Sequence, residues 1–265
     1  MDLDNFQQNM NTRVVFREPR GMVRWLQLLF CIIAISTVAD FYTSVGIEIT
    51  CPPTPANSTN QPIPAPANST NIVPNNASTP APQVTAQEVK HLKLDVQYPF
   101  DFSSQGDINN NCPGHNYTYN HKPGLNGSPQ FFVMTGALSL IYVVVSLVVY
   151  LFFSNTYESV PIWPIADLII GGILVLFWFI AASSFSSGVT LLKSTVIYEN
   201  MEQVLCPPLF KQAGALCKQV EYPTWKSLNI GLVSGFTEFF LWGSGMWFVY
   251  KETTFHQPRD AYSPR

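Results

Sequence analysis

The chain has 265 residues, with 14 Lys and Arg against 17 Asp and Glu, so charged side chains make up 12% of it. A soluble domain carries roughly 25%. An apolar share of 47% excludes a disordered chain, and a net charge of -3 excludes the broad basic face that nucleic acid requires. The mean hydropathy of +0.12 averages over unlike parts.

In chain order, residues 1–21 read as a cytosolic segment. Arg13, Arg17, Arg20 and Arg24 are spaced like one helical face, but Pro19 and Gly21 argue against a helix there. These arginines are expected to set topology and to touch anionic lipid, at about 1 kcal/mol each. Between Arg24 and Asp40 no charge occurs, which predicts a first span at about 23–45. A cleaved signal peptide is the other reading of this stretch, but the residues ahead of it make an unusually long n-region, so a retained span is expected.

Residues 46–130 form the first loop. Ile47, Ile49 and Cys51 alternate with polar residues, as do Leu92, Leu94, Val96 and Tyr98, which predicts two strands. Between them, a stretch rich in Pro, Asn, Ser and Thr repeats Pro-Ala-Asn-Ser-Thr at Pro55 and Pro66 and buries too little to order itself. Five N-glycosylation sequons, at Asn57, Asn68, Asn76, Asn116 and Asn126, all fall in this loop and mark it as luminal.

Further spans are predicted at 131–153, 163–185 and 228–250, with a second luminal loop at 186–227 and a short cytosolic tail at 251–265. About 23 helical residues reach roughly 34 Å, enough for a hydrocarbon core of about 30 Å. The basic residues divide evenly between the two sides. Discounting the long first loop leaves the excess with the termini, which are then cytosolic. The expected fold is an all-α membrane protein: a four-helix transmembrane bundle, about 22–250, with a small disulfide-bonded luminal β element.

Cys51 and Cys112 lie in the first loop and Cys206 and Cys217 in the second, where disulfides are permitted. Three pairings are open, and pairing within each loop is the simplest. Such bridges contribute about 4 and about 3 kcal/mol by chain entropy. Cys31 is left over as a small apolar residue of the first span. His115 and His121 near Cys112 are a weak metal pattern, and Cys112 is better used in a disulfide.

No Walker loop, His-Glu-x-x-His, Gly-x-Ser-x-Gly or CxxC motif occurs, so neither an enzyme nor a cofactor is expected. Asp40 and Asp167 fall near span ends and read as interfacial. Glu238 lies near the middle of the last span, where a charge costs about 3 kcal/mol. Its helical face also carries Gly231, Gly235, Trp242 and Gly245, so it reads as a helix or partner contact. Gly136, Gly171 and Gly172 are further positions for close helix approach.

Three segments carry a resemblance: Val14-Val15-Phe16-Arg17-Glu18-Pro19-Arg20-Gly21-Met22-Val23-Arg24, Tyr98-Pro99-Phe100, and Trp247-Phe248-Val249-Tyr250-Lys251-Glu252-Thr253. In this combination and order the sequence resembles the synaptophysin family. The resemblance implies a four-helix MARVEL domain in synaptic or other secretory vesicle membranes, without enzymatic activity. It implies binding to the vesicle SNARE synaptobrevin, association with cholesterol, homo-oligomers, and the disulfides Cys51–Cys112 and Cys206–Cys217. Residues 254–265 lack the Tyr/Gly-rich repeats of neuronal members. An oligomeric channel or transporter with Glu238 in its pathway is the alternative. Tetraspanins and claudins fit less well, because the longer loop is the first and 46–130 contains no Trp.

Overall fold

The computed structural model describes residues 19–52, 87–100, 106–120, 126–152 and 162–251. Four long helices are present: α1 (Pro19–Ala39), α2 (Gly127–Phe152), α3 (Ile162–Val196) and α6 (Lys226–Tyr250). Of these, α1, α2 and the α3 stretch, the last counted through Leu205, are long and apolar enough to cross a membrane. Pro19 does not interrupt the first helix. It opens it, in the first turn where a missing N–H costs nothing.

Two span boundaries differ from the sequence expectation. The first helix ends at Ala39, not 45, because Thr43, Val45, Ile47 and Ile49 continue a strand that the alternation already marked from Ile47. The third runs on to Val196, past 185, because Phe185, Val189, Leu192 and Val196 keep one buried stripe while Ser and Lys residues fill the other face.

Around the bundle each long helix has two neighbours. α6 packs extensively against α1 and α3, α1 also packs on α2, and the α2–α3 seam is the least tight of the four.

The strands make a separate module at one end. β1 (Tyr42–Thr50) pairs antiparallel with β2 (Val89–Gln97), matching Ile47 to Leu92 and Val45 to Leu94. On its other edge β1 pairs with β5 (Leu216–Glu221), giving the order β2-β1-β5. A hairpin of β3 (Ile108–Cys112) and β4 (His115–Tyr119) turns at Pro113 and Gly114, where φ of +80° suits glycine. Two short helices, α4 (Tyr198–Leu205) and α5 (Pro208–Gln212), complete it.

Disulfides tie the module together. Cys51 bonds Cys112, joining the end of β1 to the hairpin, and Cys206 bonds Cys217, joining the end of α4 to β5. Beneath the sheet an aromatic column leads into the bundle. Phe41 meets Phe100 at 5.5 Å, Phe100 stacks on Phe185 at 6.5 Å, Phe185 on Phe132 at 4.5 Å, and Phe132 meets Trp178 at 5.5 Å. Phe100 holds φ of +67°, which costs a non-glycine residue about 1 kcal/mol. Its complete burial between Phe41 and Phe185 offsets that cost.

Candidate functional site

Helix α1 presents one buried stripe to its neighbours: Val23, Arg24, Gln27, Cys31, Ala34 and Val38. A cation in such a stripe needs a partner. Arg24 Nη2 bonds Asp167 Oδ1 of α3 at 2.6 Å, with both side chains almost fully buried. Arg24 and Asp167 lie equally far from the starts of α1 and α3, two helices that run in the same direction, so they meet at one depth. The expectation that Asp167 is interfacial, and Arg24 a topology residue at the lipid surface, is therefore corrected.

The pair is satisfied on all sides, as a buried charge must be. Tyr142 donates its hydroxyl to Asp167 Oδ1, and Tyr150 donates to Oδ2 at 3.2 Å. Arg24 Nη1 donates to Gln27 Oε1 at 3.1 Å, and its guanidinium lies 5.0 Å from the Trp242 ring and 5.5 Å from that of Tyr142. The cluster thus joins all four long helices. Asp40, by contrast, is exposed at the end of α1, as its position suggested. Arg20 is half-buried, and Arg13 and Arg17 lie outside the described residues.

Gly231, Gly235, Glu238, Trp242 and Gly245 do share one buried face of α6. That face is filled from within the chain. A Cβ on Gly231 would stand 2.7 Å from Val38, and one on Gly235 would stand 2.5 Å from the Phe132 ring. Gly136 is equally constrained, 2.7 Å from Ile35. Gly245 and Gly172 meet neighbours only at ordinary contact distance, near Gln27 and Met246, and Gly171 meets nothing within 4 Å. A helix glycine that sequence reading missed is Gly188, where a Cβ would run into the Ser128 hydroxyl. Glu238 itself is fully buried, and neither carboxyl oxygen makes a hydrogen bond of good geometry, its nearest donors being the Trp242 indole and the Cys31 backbone. Cys31 is buried beside it and donates its thiol to the Gly136 carbonyl at 3.1 Å.

Along the loose α2–α3 seam a groove of about 240 Å³ opens beside the ion pair. Its walls are apolar, with Val145, Val149, Ala166 and Ile170 among them, and Tyr142, Tyr150 and Asp167 supply its polar floor. Trp163 stands at its rim, in the first turn of α3.

On the strand module, Asn116 is exposed on β4 and open to modification, whereas Asn126 is half-buried at the very start of α2. Asn57, Asn68 and Asn76 lie outside the described residues. Among the described residues no cluster of metal-ligating side chains occurs. His115 packs its ring against Phe210 at 5.3 Å and Tyr117 at 6.3 Å. Tyr119 donates its hydroxyl to the Thr195 carbonyl at 2.6 Å, clasping the hairpin to α3, and burial pushes its phenol above the ordinary value.

Apolar helices of membrane length, a buried polar cluster and a disulfide-bonded cap agree with the comparison to known families. Residues 15–248 match the MARVEL membrane-associating domain, nearly the whole chain, and the protein belongs to that family of membrane-associated proteins.

Proposed function

We propose that this protein is a non-enzymatic tetraspan of synaptic or other secretory vesicles that organises the vesicle membrane and binds a synaptobrevin-type SNARE. In this reading α6 is the fourth span. Glu238 does not oppose its insertion, because the carboxyl faces the other helices and not lipid. Four crossings put both termini on one side, the cytosol, and the strand module with exposed Asn116 in the lumen. Cholesterol association and self-association come from the sequence resemblance, and anionic-lipid contact from the N-terminal arginines.

The observation that carries the partner reading is the α2–α3 groove. The Gly231 and Gly235 face is already occupied by α1 and α2, so a partner helix must use another surface. The groove is an apolar recess at a seam between neighbouring spans, with room for a few side chains. An oligomeric channel has less support, since Glu238 is enclosed within a single chain.

The test is a photo-crosslinker placed at Val149 or Ile170 in intact vesicles. Capture of a vesicle SNARE helix there, and not from a crosslinker on the exposed Val233 of α6, is the expected result. Absence of any SNARE adduct, with a tagged copy missing from vesicles, overturns the reading.

A further inference from the structure

We infer that the bundle carries a proton at its centre: the Glu238 carboxyl is a one-sided proton-binding site, hydrated by water that Gln27, Thr135 and Trp242 hold. This inference is independent of the partner reading.

Five buried polar atoms make no hydrogen bond of good geometry in the same stretch of the core: both Glu238 carboxyl oxygens, Gln27 Nε2, Thr135 Oγ1 and Trp242 Nε1, the last being the donor nearest the carboxyl. All four side chains are at most 1% exposed. Trp242 lies one turn from Glu238 on α6. Gln27 Nε2 faces Gly245, the next turn on, 3.5 Å from where its Cβ would be. Thr135 sits at the depth of Glu238, because Phe132, one turn before it, packs on Gly235, one turn before Glu238. Orphaned buried polar groups of this kind are satisfied by internal water.

The chemistry of the set selects the ligand. Gln27 and Trp242 offer N–H donors, which a metal cation cannot use and which donate to an acceptor lone pair such as that of water oxygen. A water can accept from them and exchange hydrogen bonds with the Glu238 carboxyl and the Thr135 hydroxyl. Among the described residues no basic side chain is placed to support a carboxylate at Glu238. From α1 the Cys31 thiol faces Glu238 and Arg24 lies further along. From α2 the neighbours are Thr135 and, more distant, Tyr142, and from α3 they are Trp178 and the distant Asp167. Arg24 and Asp167 neutralise each other. A carboxyl so enclosed takes up a proton from water and becomes a neutral acid.

The core around the site is apolar on one side and polar on the other. Toward the strand module the core is closed by Phe132 against Gly235, Trp178 and Phe185, and by Val38 against Gly231. In the other direction Trp242, Gln27 and Arg24 lead to Asp167 and the groove. Protons therefore enter and leave by the groove, and none passes through. Loss of the proton places a bare carboxylate against Cys31 and loosens α6 from α1.

Infrared spectroscopy of the full-length protein in lipid nanodiscs at neutral pH tests this. A protonated-carboxyl C=O band that shifts in D2O and is absent from Glu238→Gln is the expected result. Identical spectra for the two proteins overturn the proton site. Filling the groove with Ala166→Trp, or with the milder Ala166→Leu if the first does not fold, should slow deuterium uptake into that band severalfold. An unchanged rate in a folded variant overturns entry through the groove.

Discussion

The helical bundle and the strand module solve the same problem with opposite means. In the bundle, Gly136, Gly231 and Gly235 bring helices together, and one buried ion pair with its tyrosines and Trp242 joins all four. In the module, a three-stranded sheet and a hairpin are closed by two disulfides and a fixed register. The difference follows from solvent. Lipid gives helices no hydrophobic reason to associate, so close contact and polar satisfaction decide the packing. A small module in water has the hydrophobic effect but too little area to exploit it, and covalent closure makes up the shortfall.

Breaking one region should therefore leave the other standing, most visibly at the ion pair. Arg24→Ala or Asp167→Ala leaves its partner buried and unpaired, which costs about 4 kcal/mol. Thermal unfolding in nanodiscs should fall sharply, while a paired Arg24→Met, Asp167→Leu variant recovers most of the loss. If the single variants raise hydrogen exchange as much in β1 and β2 as in the helices, the two regions are one cooperative unit. Replacing Cys51 and Cys112 together by Ser should cost the module about 4 kcal/mol and raise exchange in β1, β3 and β4, with the helical amides unchanged.

Smaller changes sharpen the comparison. Gly235→Ala drives a methyl into the Phe132 ring and should destabilise the bundle by about 2 kcal/mol, read from the same unfolding curves. Tyr119→Phe removes the bond to Thr195 and should cost about 1 kcal/mol, seen as faster exchange in β4. Because folding holds the Tyr119 phenol above its ordinary value of 10.0, the unfolded chain releases that proton first. The module then loses stability as pH rises above about 10. The Phe variant should lack that part of the alkaline decline.

What the sequence displays, and what it conceals, follows the reach of each signal. Strands β1 and β2 are visible because Ile47, Ile49, Leu92 and Leu94 alternate locally, and the Glu238 face is visible because glycines recur at helical spacing. The contact between Arg24 and Asp167 is not local. Each reads as a boundary residue of its own span, and only the parallel course of α1 and α3 brings them to one depth. Similarly, the end of α1 is hidden because Phe41, Tyr42 and Val45 are as apolar as a span, and the extension of α3 is hidden because its outward face turns polar before its buried stripe ends.

The Cys51 amide donates to the Glu88 carbonyl at 2.8 Å, just beyond the pairing of Thr50 with Val89. The chain thus departs from the module and returns to it at a single doorway, which the Cys51–Cys112 bond latches from behind. The two ends of 53–86 are thus held side by side by the module itself, and the frame is closed whatever the length of chain between them. The same doorway offers a place to graft a folded reporter without redrawing the protein beneath.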